Sequence, residues 1–484
     1  MPALVNQPIP ARADMVIAGT GFAATFFLFR ILQNAPANMR IVVLERGRLI
    51  EHSSRLARRG DKEFDPEQYF KRTGDPDKSW AFSLGFGGSS NCWWGTTPRM
   101  IPSDFELKTR YGHGADWPFS YDDLEPFYCE AEDLMQISGS AYPQAPRSRP
   151  YPLPPHGPTG ADVILAKAWP GQHVPMPTAR ASRPTSTRGQ CCSNGVCTLC
   201  PVDAKFTILN GMRDVYDDPR VSLFMETEVR RVETEGGRAH AFEWRTADGK
   251  LGSIAADHLV LATNAMFNAD ILMRSGDASP LTGKRLHEQV GITAQLYLDG
   301  VDCFQGSTAV TGMGLMLWDN DERRKDMAAV KFKTDNYGFM RPEPGRWRQV
   351  LPIRMVYEDL PQDRNRIIPA TGDDERPTAE FVGRSAYTQR AIDRMADDIA
   401  KICAELPIED IIYDPPAPSE SHIQGTTVMG HDPADSVTDQ DGLHHRWRDL
   451  RVLGSSLFPT GSPANPTLTL SAHALRAASR MEWT

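Results

Sequence analysis

Two patterns in the sequence predict a mixed α/β fold. Near the N-terminus, the apolar run Met15–Ala18 leads into a glycine-rich turn and an apolar helix, which is how a Rossmann-like nucleotide-binding unit begins. Between about 291 and 405, alternating stretches such as 292–298 and 350–357 predict an antiparallel sheet, followed by a helix from about 385 to 405. A chain of 484 residues is long enough to bury a core in each of two such units.

Further strands are predicted in the middle of the chain, around 223–232, 241–245 and 258–262. We expect the chain to return there to the sheet that begins near the N-terminus. The segment 141–189 is rich in Pro, Ser and Arg and has little periodicity. It is therefore predicted to be a long surface excursion that contributes little to the core.

Composition and charge exclude several functional classes. The chain is 40% apolar and 24% charged, which is typical of a globular protein. Its formal net charge of −9, with no basic stripe, argues against a nucleic-acid partner. The apolar run 22–32 is too short to span a bilayer, and the first ten residues lack the pattern of a secretory signal. The sequence therefore predicts a soluble, cytoplasmic protein without a transmembrane segment, whose eight cysteines are thiols or metal ligands.

The glycine-rich turn has the spacing of a dinucleotide fingerprint. Gly19 allows a tight turn, Gly21 lets the backbone approach a pyrophosphate, and the small Ala24 lets the helix pack closely on the strand. The N-terminus of the helix attracts the anion. A second strand, Ile41–Leu44, ends at Glu45, whose carboxylate can accept both hydroxyls of an adenosine ribose. The pattern predicts dinucleotide binding and does not separate FAD from NAD.

Two stretches near the C-terminus carry groups suited to proton transfer and charge stabilisation. His422 stands in the polar stretch Ser-His-Ile-Gln-Gly-Thr, where an imidazole is the usual choice for taking a hydroxyl proton near neutral pH. Asn465, Pro466 and Thr467 open a predicted helix. They would place an amide and free backbone N–H groups where negative charge can be stabilised.

Together these motifs resemble those of the glucose–methanol–choline (GMC) oxidoreductases, in which the histidine of His-x-x-Gly-Thr faces the flavin. The resemblance extends along most of the chain, and its further matches are at 86–91, 116–128, 204–207, 261–264 and 451–459. The tail, which contains Ala-Asn-Pro-Thr-Leu-Thr, is most similar to that of pyranose oxidases and related bacterial sugar dehydrogenases. The resemblance implies bound FAD and an FAD-binding domain of three-layer ββα architecture.

The resemblance also implies how the chain is divided. A discontinuous FAD-binding domain would be assembled from 1–110, 190–290 and 420–484. A substrate domain, built on the antiparallel sheet with helices, would comprise 111–189 and 291–419 and lie over the flavin ring.

Carried over to this chain, the family's site makes His422 the catalytic base and Asn465 its partner. The base would take a hydroxyl proton while the carbinol hydrogen leaves as hydride to flavin N5. The implied activity is oxidation of a hydroxyl of a sugar, glycoside or aminocyclitol to a carbonyl. Trp93, Trp94 and Gln424 are predicted to contact the substrate. The residues predicted to contact the cofactor are Gly19, Gly21, Phe22, Ala23, Glu45, Arg46, Gly87, Gly88, Ser89, Ser90, Asn91, Cys92, Val229, Thr263, Gly454, Ser455, Pro466 and Thr467.

Cysteines mark two departures from the family pattern. Cys92 stands where some members carry a histidine bonded to the flavin, and we expect non-covalent FAD with a flavin thioether as the alternative. The loop with Cys191, Cys192, Cys197 and Cys200 resembles one that holds an iron–sulfur cluster in some bacterial members. Four thiolates suit such a cluster or zinc, and a metal-free loop is the alternative, because the spacing matches no fixed metal-binding rule.

Several questions of function stay open at the level of sequence. No motif identifies the electron acceptor, which is oxygen or a carrier, and none decides whether the protein is a homo-oligomer. A non-redox lyase is one alternative, because some family members use their flavin only structurally. A cluster-bearing electron-transfer subunit is another, and the intact pair of His422 and Asn465 argues against it.

Overall fold

The computed structural model describes residues 8–59, 65–141, 144–336, 341–372 and 374–483. Its α-helices are α1 (Phe22–Asn34), α2 (His52–Ala57), α3 (Leu107–Tyr111), α4 (Tyr121–Met135), α5 (Gly160–Ala168), α6 (Ile208–Gly211), α7 (Ala265–Arg274), α8 (Asp321–Arg324), α9 (Ala386–Asp393), α10 (Met395–Ile402) and α11 (Pro466–Ser479). Its strands are β1 (Met15–Ala18), β2 (Ile41–Leu44), β3 (Lys71–Gly74), β4 (His173–Pro175), β5 (Val221–Phe224), β6 (Thr227–Glu235), β7 (Arg238–Thr246), β8 (Leu251–Ala255), β9 (His258–Leu261), β10 (Val290–Leu298), β11 (Val310–Leu317), β12 (Val330–Asp335), β13 (Val350–Tyr357), β14 (Arg366–Ile368), β15 (Thr378–Phe381), β16 (Ile408–Tyr413) and β17 (Leu450–Val452).

The predicted mixed α/β fold is confirmed. A parallel sheet has the order β17-β9-β1-β2-β5, and the two strands predicted near the N-terminus are β1 and β2. All residues of both strands are buried, as is usual for a parallel sheet covered on both faces. Helices α1 and α11 pack against each other, so the two ends of the chain meet beside this sheet. Ligands of such sheets bind at the carboxyl ends of the strands.

The prediction for the middle of the chain is wrong in part. Strands β5 and β9 join the parallel sheet as expected, but 223–232 is not one strand, because the chain turns between β5 and β6 at Glu226, whose φ is 53°. Strands β6, β7 and β8 form a separate antiparallel sheet. Buried and exposed positions largely alternate along β6, which is typical of a sheet with one face in solvent. That alternation distinguishes it from the parallel strands.

The predicted antiparallel sheet is present, with the order β16-β10-β13-β12-β11-β4. Its buried apolar cluster extends to α9 and α10, whereas another such cluster surrounds the parallel sheet with α1 and α11. The helix predicted for 385–405 is two helices separated at Arg394. A further sheet has the order β14-β15-β3.

The prediction that 141–189 is a surface excursion is wrong. The segment contributes α5 and the strand β4, which pairs with β11 at the edge of the six-stranded sheet. Arg180 is 2% exposed, and its guanidinium donates to Thr308 Oγ1 (2.7 Å) and to the carbonyl of Trp94. Arg188 donates to the carbonyls of Ala179 and Met135. The polar composition misleads because buried carbonyls satisfy these arginines inside the fold.

Among the described residues, no helix is both long enough and apolar enough to cross a bilayer.

Candidate active site

A cavity of about 600 Å³ extends from the carboxyl ends of β1 and β2 to the N-terminus of α11. Its size lies within the range of small-molecule and cofactor sites. The cavity brings the N-terminal fingerprint and the C-terminal motifs into one site. The sequence-predicted residues that line it are Gly19, Gly21, Phe22, Ala23, Glu45, Arg46, Gly88, Ser89, Cys92, Trp93, Trp94, Val229, Thr263, His422, Gly454, Ser455, Asn465, Pro466 and Thr467.

The turn between β1 and α1 has the geometry of an anion-binding loop. Gly19 has φ 105°, and a Cβ there would lie 2.5 Å from the carbonyl oxygen of Ala262, so the position requires glycine. No heavy atom lies within 4 Å of a Cβ built on Gly21, which faces the cavity. Helix α1 begins at Phe22, and its N-cap residue Gly21 has no side chain that could accept from the first N–H groups of the helix. This helix end therefore fits a pyrophosphate.

Glu45 lines the cavity and also ties three segments of backbone together. One carboxylate oxygen accepts from Thr20 N (3.1 Å) and Thr20 Oγ1 (2.7 Å). The other accepts from Gly47 N (2.9 Å) and Gly85 N (3.1 Å). The residue is 5% exposed. Sequence reasoning gave Glu45 only a role toward a ribose, whereas the structure adds a role in holding the glycine-rich turn against the loop after Gly85.

Three residues assigned to the cofactor in the loop 86–91 do not line the cavity, which corrects their prediction. Gly87 begins the short helical turn at Gly88–Asn91 with φ 81°. Ser90 Oγ accepts from the backbone N–H of Ile208 (3.1 Å). The Asn91 amide donates to the carbonyls of Phe86 and Gly88 (both 2.9 Å). These residues shape the loop from behind, while Gly88 and Ser89 face the cavity.

Cys92 ends this loop and faces the cavity. Its thiol donates to the carbonyl of Ser89 over 3.6 Å. Desolvation by the surrounding protein raises the pKa of the Cys92 thiol above its usual value, and the positive charges of Lys205 and Arg55 oppose this only in part. A protonated thiol is a weak nucleophile.

His422 and Asn465 contact each other at the far end of the cavity. Asn465 Nδ2 lies 3.0 Å from His422 Nε2, and His422 Nδ1 lies 3.0 Å from Gln289 Oε1. Gln289 directs its NH₂ group to the carbonyls of Ser462 (2.6 Å) and Ala464 (2.7 Å), which can only accept. Its Oε1 must therefore accept from His422. Nδ1 carries the proton, and the lone pair of the neutral ring is at Nε2, beside Asn465.

The surroundings of His422 favour the neutral ring. Burial, which is the largest effect, and the positive charges of Lys331, Lys333 and Arg354 lower the pKa of His422 to about 4, while Glu420 acts in the opposite direction. Lys333 on β12 pairs in register with Arg354 on β13, so these cations share one sheet face. Glu420 is ion-paired with Arg354. At neutral pH the Nε2 lone pair is therefore available to accept a proton.

Sequence reasoning missed several residues of this end of the site. Gln289, Lys331, Lys333, Arg354 and Glu420 all contact or electrostatically influence the His422–Asn465 pair. Glu420 is two residues before His422 and could have been considered as its neighbour. The other four stand on or beside strands of the antiparallel sheet, and no motif marks them.

The residues predicted to contact substrate have different placements. Trp93 and Trp94 line the cavity, and the indole N–H of Trp93 donates to the carbonyl of Phe206 (2.7 Å). Gln424 is 1% exposed and does not line the cavity, so its prediction is corrected. Its amide donates to the carbonyl of His422 (3.2 Å) and to Gln289 Oε1 (3.3 Å). Gln424 therefore supports the loop of the base from behind.

The cysteine loop is not arranged as a metal site. Among the described residues, no three His, Cys, Asp or Glu side chains are placed to share a metal ion, and all four thiols of the loop are unbridged. Cys191 donates to Thr308 Oγ1 (3.6 Å), and Cys200 Sγ accepts from the N–H of Ala204 (3.3 Å). The geometry gives no support to an iron–sulfur cluster or zinc ion held by Cys191, Cys192, Cys197 and Cys200. The loop borders the cavity through Thr198.

Comparison with known proteins agrees with this arrangement. Residues 358–474 match a C-terminal family model described as GMC oxidoreductase. The chain is 26% identical over 540 residues to the large subunit of fructose dehydrogenase from Gluconobacter japonicus, covering 96% of this chain and 97% of that protein. It is 26% identical over 461 residues to paromamine 6'-oxidase from Streptomyces fradiae, covering 83% of this chain and 79% of that protein.

Solved structures support the same relationship at the level of the fold. The chain superposes on pyridoxine 4-oxidase from Mesorbium loti with a TM-score of 0.65 at 17% identity, covering 97% of this chain and 99% of that one. The family match in the C-terminal part, the relatives that cover most of the chain and the shared fold lead to one conclusion: the protein is an FAD-dependent oxidoreductase whose residues 358–474 are a GMC oxidoreductase C-terminal domain.

Proposed function

We propose that the protein oxidises a hydroxyl of a neutral sugar or glycoside to a carbonyl, with His422 as the base. The observation that carries the proposal is the neutral His422–Asn465 pair, whose Nε2 lone pair stands in the same cavity as the dinucleotide fingerprint. In this reaction the O–H bond and the carbinol C–H bond break, and the C=O bond forms. When bound, FAD supplies the acceptor of the hydride.

The residues of the chain have separable tasks in this proposal. Gly21 and the N-terminus of α1 hold the pyrophosphate, and Glu45 holds the ribose. The substrate hydroxyl displaces the Asn465 N–H from His422 Nε2, which then takes the hydroxyl proton, and Asn465 Nδ2 donates to the same oxygen. Lys333 and Arg354, which line the catalytic end of the cavity, favour the negative charge that develops on that oxygen. Their proximity also disfavours a long-lived imidazolium, so the proton must pass on from His422 afterwards.

Charge argues for a neutral substrate. The names of the two relatives point to a sugar and to an aminocyclitol-containing compound. Lys333, Arg354 and Glu420 line the catalytic end of the cavity, and Lys331 lies directly behind it. With Asp335, which is ion-paired with Lys333, two carboxylates stand against three cations when Lys331 is protonated, so the net charge is positive, and like charges in a site of low dielectric repel each other. An ammonium-bearing substrate is therefore disfavoured relative to a neutral sugar.

We expect neutral sugars to bleach the flavin absorbance of FAD-loaded protein under anaerobic conditions. An amino sugar of the same ring should do so more slowly. Deuterium at the oxidised carbon should slow the bleaching if hydride transfer limits it. Stopped-flow absorbance measures both effects. If no aldose, ketose, glycoside or amino sugar bleaches the flavin, the better interpretation is that the flavin has only a structural role, as in a non-redox lyase.

The pH dependence of flavin reduction should reflect the low pKa of His422. A protonated imidazole has no lone pair at Nε2, so the rate constant should fall as the pH falls through about 4. For an imidazole with the ordinary pKa of about 6.5, the rate constant would instead fall at a pH about 2.5 units higher. Single-turnover reduction measured across a pH series distinguishes the two. An acid limb near the ordinary value would contradict the electrostatic description of the site.

A further inference from the structure

A lysine with no assigned task lies directly behind the catalytic pair. Lys331 is 1% exposed, and its ammonium donates to Asn465 Oδ1 over 2.6 Å. The NH₂ group of the same amide contacts His422 Nε2. An amide has one accepting and one donating end, so a donor at Oδ1 decides which way the side chain points. The contact from Lys331 therefore directs the N–H groups of Asn465 toward the base.

The hydrogen bonds through the site all run in one direction. Lys331 donates to Asn465, Asn465 donates to His422, His422 donates to Gln289, and Gln289 donates to the carbonyls of Ser462 and Ala464. An ammonium can only donate and a carbonyl can only accept. The two ends of the chain of hydrogen bonds are therefore fixed by groups that cannot reverse. Reversal of a middle member would set two donors or two acceptors against each other.

We propose that Lys331 is a positioning residue, which acts through Asn465 and keeps the N–H groups of that amide directed toward His422 Nε2, where the substrate hydroxyl binds. This inference rests on the proposed function, because it concerns the same base. It adds a residue that does not itself touch the substrate. Burial of an ammonium is unfavourable by itself, and a packing role could be filled by an apolar side chain of similar length. The hydrogen bond to Asn465 gives the ammonium a specific task.

The charged groups around Lys331 give it a distinctive ionisation. Burial, followed by the charges of Lys333 and Arg354, lowers the pKa of Lys331 to about 7, while Glu420 and Asp335 act in the opposite direction. Loss of its charge weakens the hydrogen bond to Asn465, because charge-assisted hydrogen bonds are the stronger ones. We therefore expect a moderate fall in the rate constant of flavin reduction as the pH rises through about 7, in addition to the acid limb of His422.

A double-mutant cycle tests the inference in the FAD-loaded protein. Lys331→Met should lower the rate constant of flavin reduction by roughly 10- to 100-fold, as expected for loss of a hydrogen bond from a charged group. Asn465→Ala combined with Lys331→Met should be no slower than Asn465→Ala alone, because Lys331 acts through that amide. Lys331→Gln retains a donor without the charge and should recover part of the rate. The unfolding temperature of Lys331→Met should be unchanged or raised.

Lys333→Met is the matched control, because Lys333 stands on the same strand and face but is paired with Asp335. The effect of Lys333→Met on the rate constant should multiply with that of Asn465→Ala. The fall in the rate constant near pH 7 should persist in Lys333→Met and disappear in Lys331→Met. Nitrogen NMR of isotopically labelled histidine gives a readout that needs no substrate: the resonance of His422 Nε2, which accepts from Asn465, should shift in Lys331→Met, while Nδ1 stays protonated because Gln289 still accepts from it.

The inference is overturned if the effects of Lys331→Met and Asn465→Ala multiply, or if Lys331→Met leaves both the His422 Nε2 resonance and the rate constant unchanged. If no sugar reduces the wild-type flavin, the proposed function fails. The NMR measurement then still decides whether Lys331 sets the direction of the hydrogen bonds.

Discussion

Replacement of His422 by alanine is expected to lower the rate constant of flavin reduction by a sugar about 100- to 10,000-fold, the usual contribution of a general base. The FAD content and the unfolding temperature should stay close to those of the wild type. The backbone N–H of His422 donates to Glu288 (3.0 Å), and this hydrogen bond, which anchors the loop, does not depend on the imidazole. Stopped-flow reduction and the ratio of flavin to protein measure the two properties separately.

His473→Ala is the matched control for this experiment. His473 is also buried, stacks on Phe119 and contacts the carbonyl of Gln440 (2.9 Å), but it does not line the cavity. Its replacement should lower stability and leave the rate constant of reduction nearly unchanged, because it packs without facing the substrate. A His422→Ala protein that reduces its flavin at the wild-type rate would show that another group is the base.

The residues found from sequence were those whose role depends on local geometry. Gly19 and Gly21 were identified because a strand, a turn and a helix follow one another within a few residues, and that order alone places the turn at a sheet edge. His422 and Asn465 were identified through the short motifs of the family they resemble. The contact between these two residues, which are 43 positions apart in sequence, depends on the tertiary structure, and sequence periodicity does not specify it.

The residues missed from sequence stand on strands whose pattern misleads. Along β12, Lys331 and Lys333 alternate with Val330 and Phe332. This alternation predicts a strand with one face in solvent. In the structure that polar face lies over the cavity, and Lys331 is buried. Binary pattern distinguishes the two faces of a strand but not what covers each face. The prediction of a surface excursion for 141–189 is wrong for a related reason: its polar composition does not show that its arginines are buried and donate to carbonyls.

Replacement of Glu45 is expected to affect both the cofactor and the fold. Glu45→Ala removes the acceptor of three backbone N–H groups and one hydroxyl, from Thr20, Gly47 and Gly85. Each buried donor left without a partner costs about 1–3 kcal/mol, and water entering the space of the side chain recovers part of this. We expect the free energy of unfolding of the FAD-free protein to fall by about 2–5 kcal/mol. FAD should also be lost during dialysis.

Two further variants separate the two effects. In Glu45→Gln one oxygen can still accept, while the NH₂ group meets N–H donors, so its loss of stability should lie between those of wild type and Glu45→Ala. Glu51→Ala is the control, because Glu51 is ion-paired with Arg213 at the surface, where such pairs contribute little. If Glu45→Ala lowers the free energy of unfolding but the protein retains stoichiometric FAD, Glu45 has its structural role alone. The ribose contact would then have to be assigned to another side chain of the cavity. If the free energy of unfolding is unchanged but FAD is lost, the conclusion is the reverse. The carboxylate then acts on the cofactor, and water replaces it as the acceptor of the backbone N–H groups.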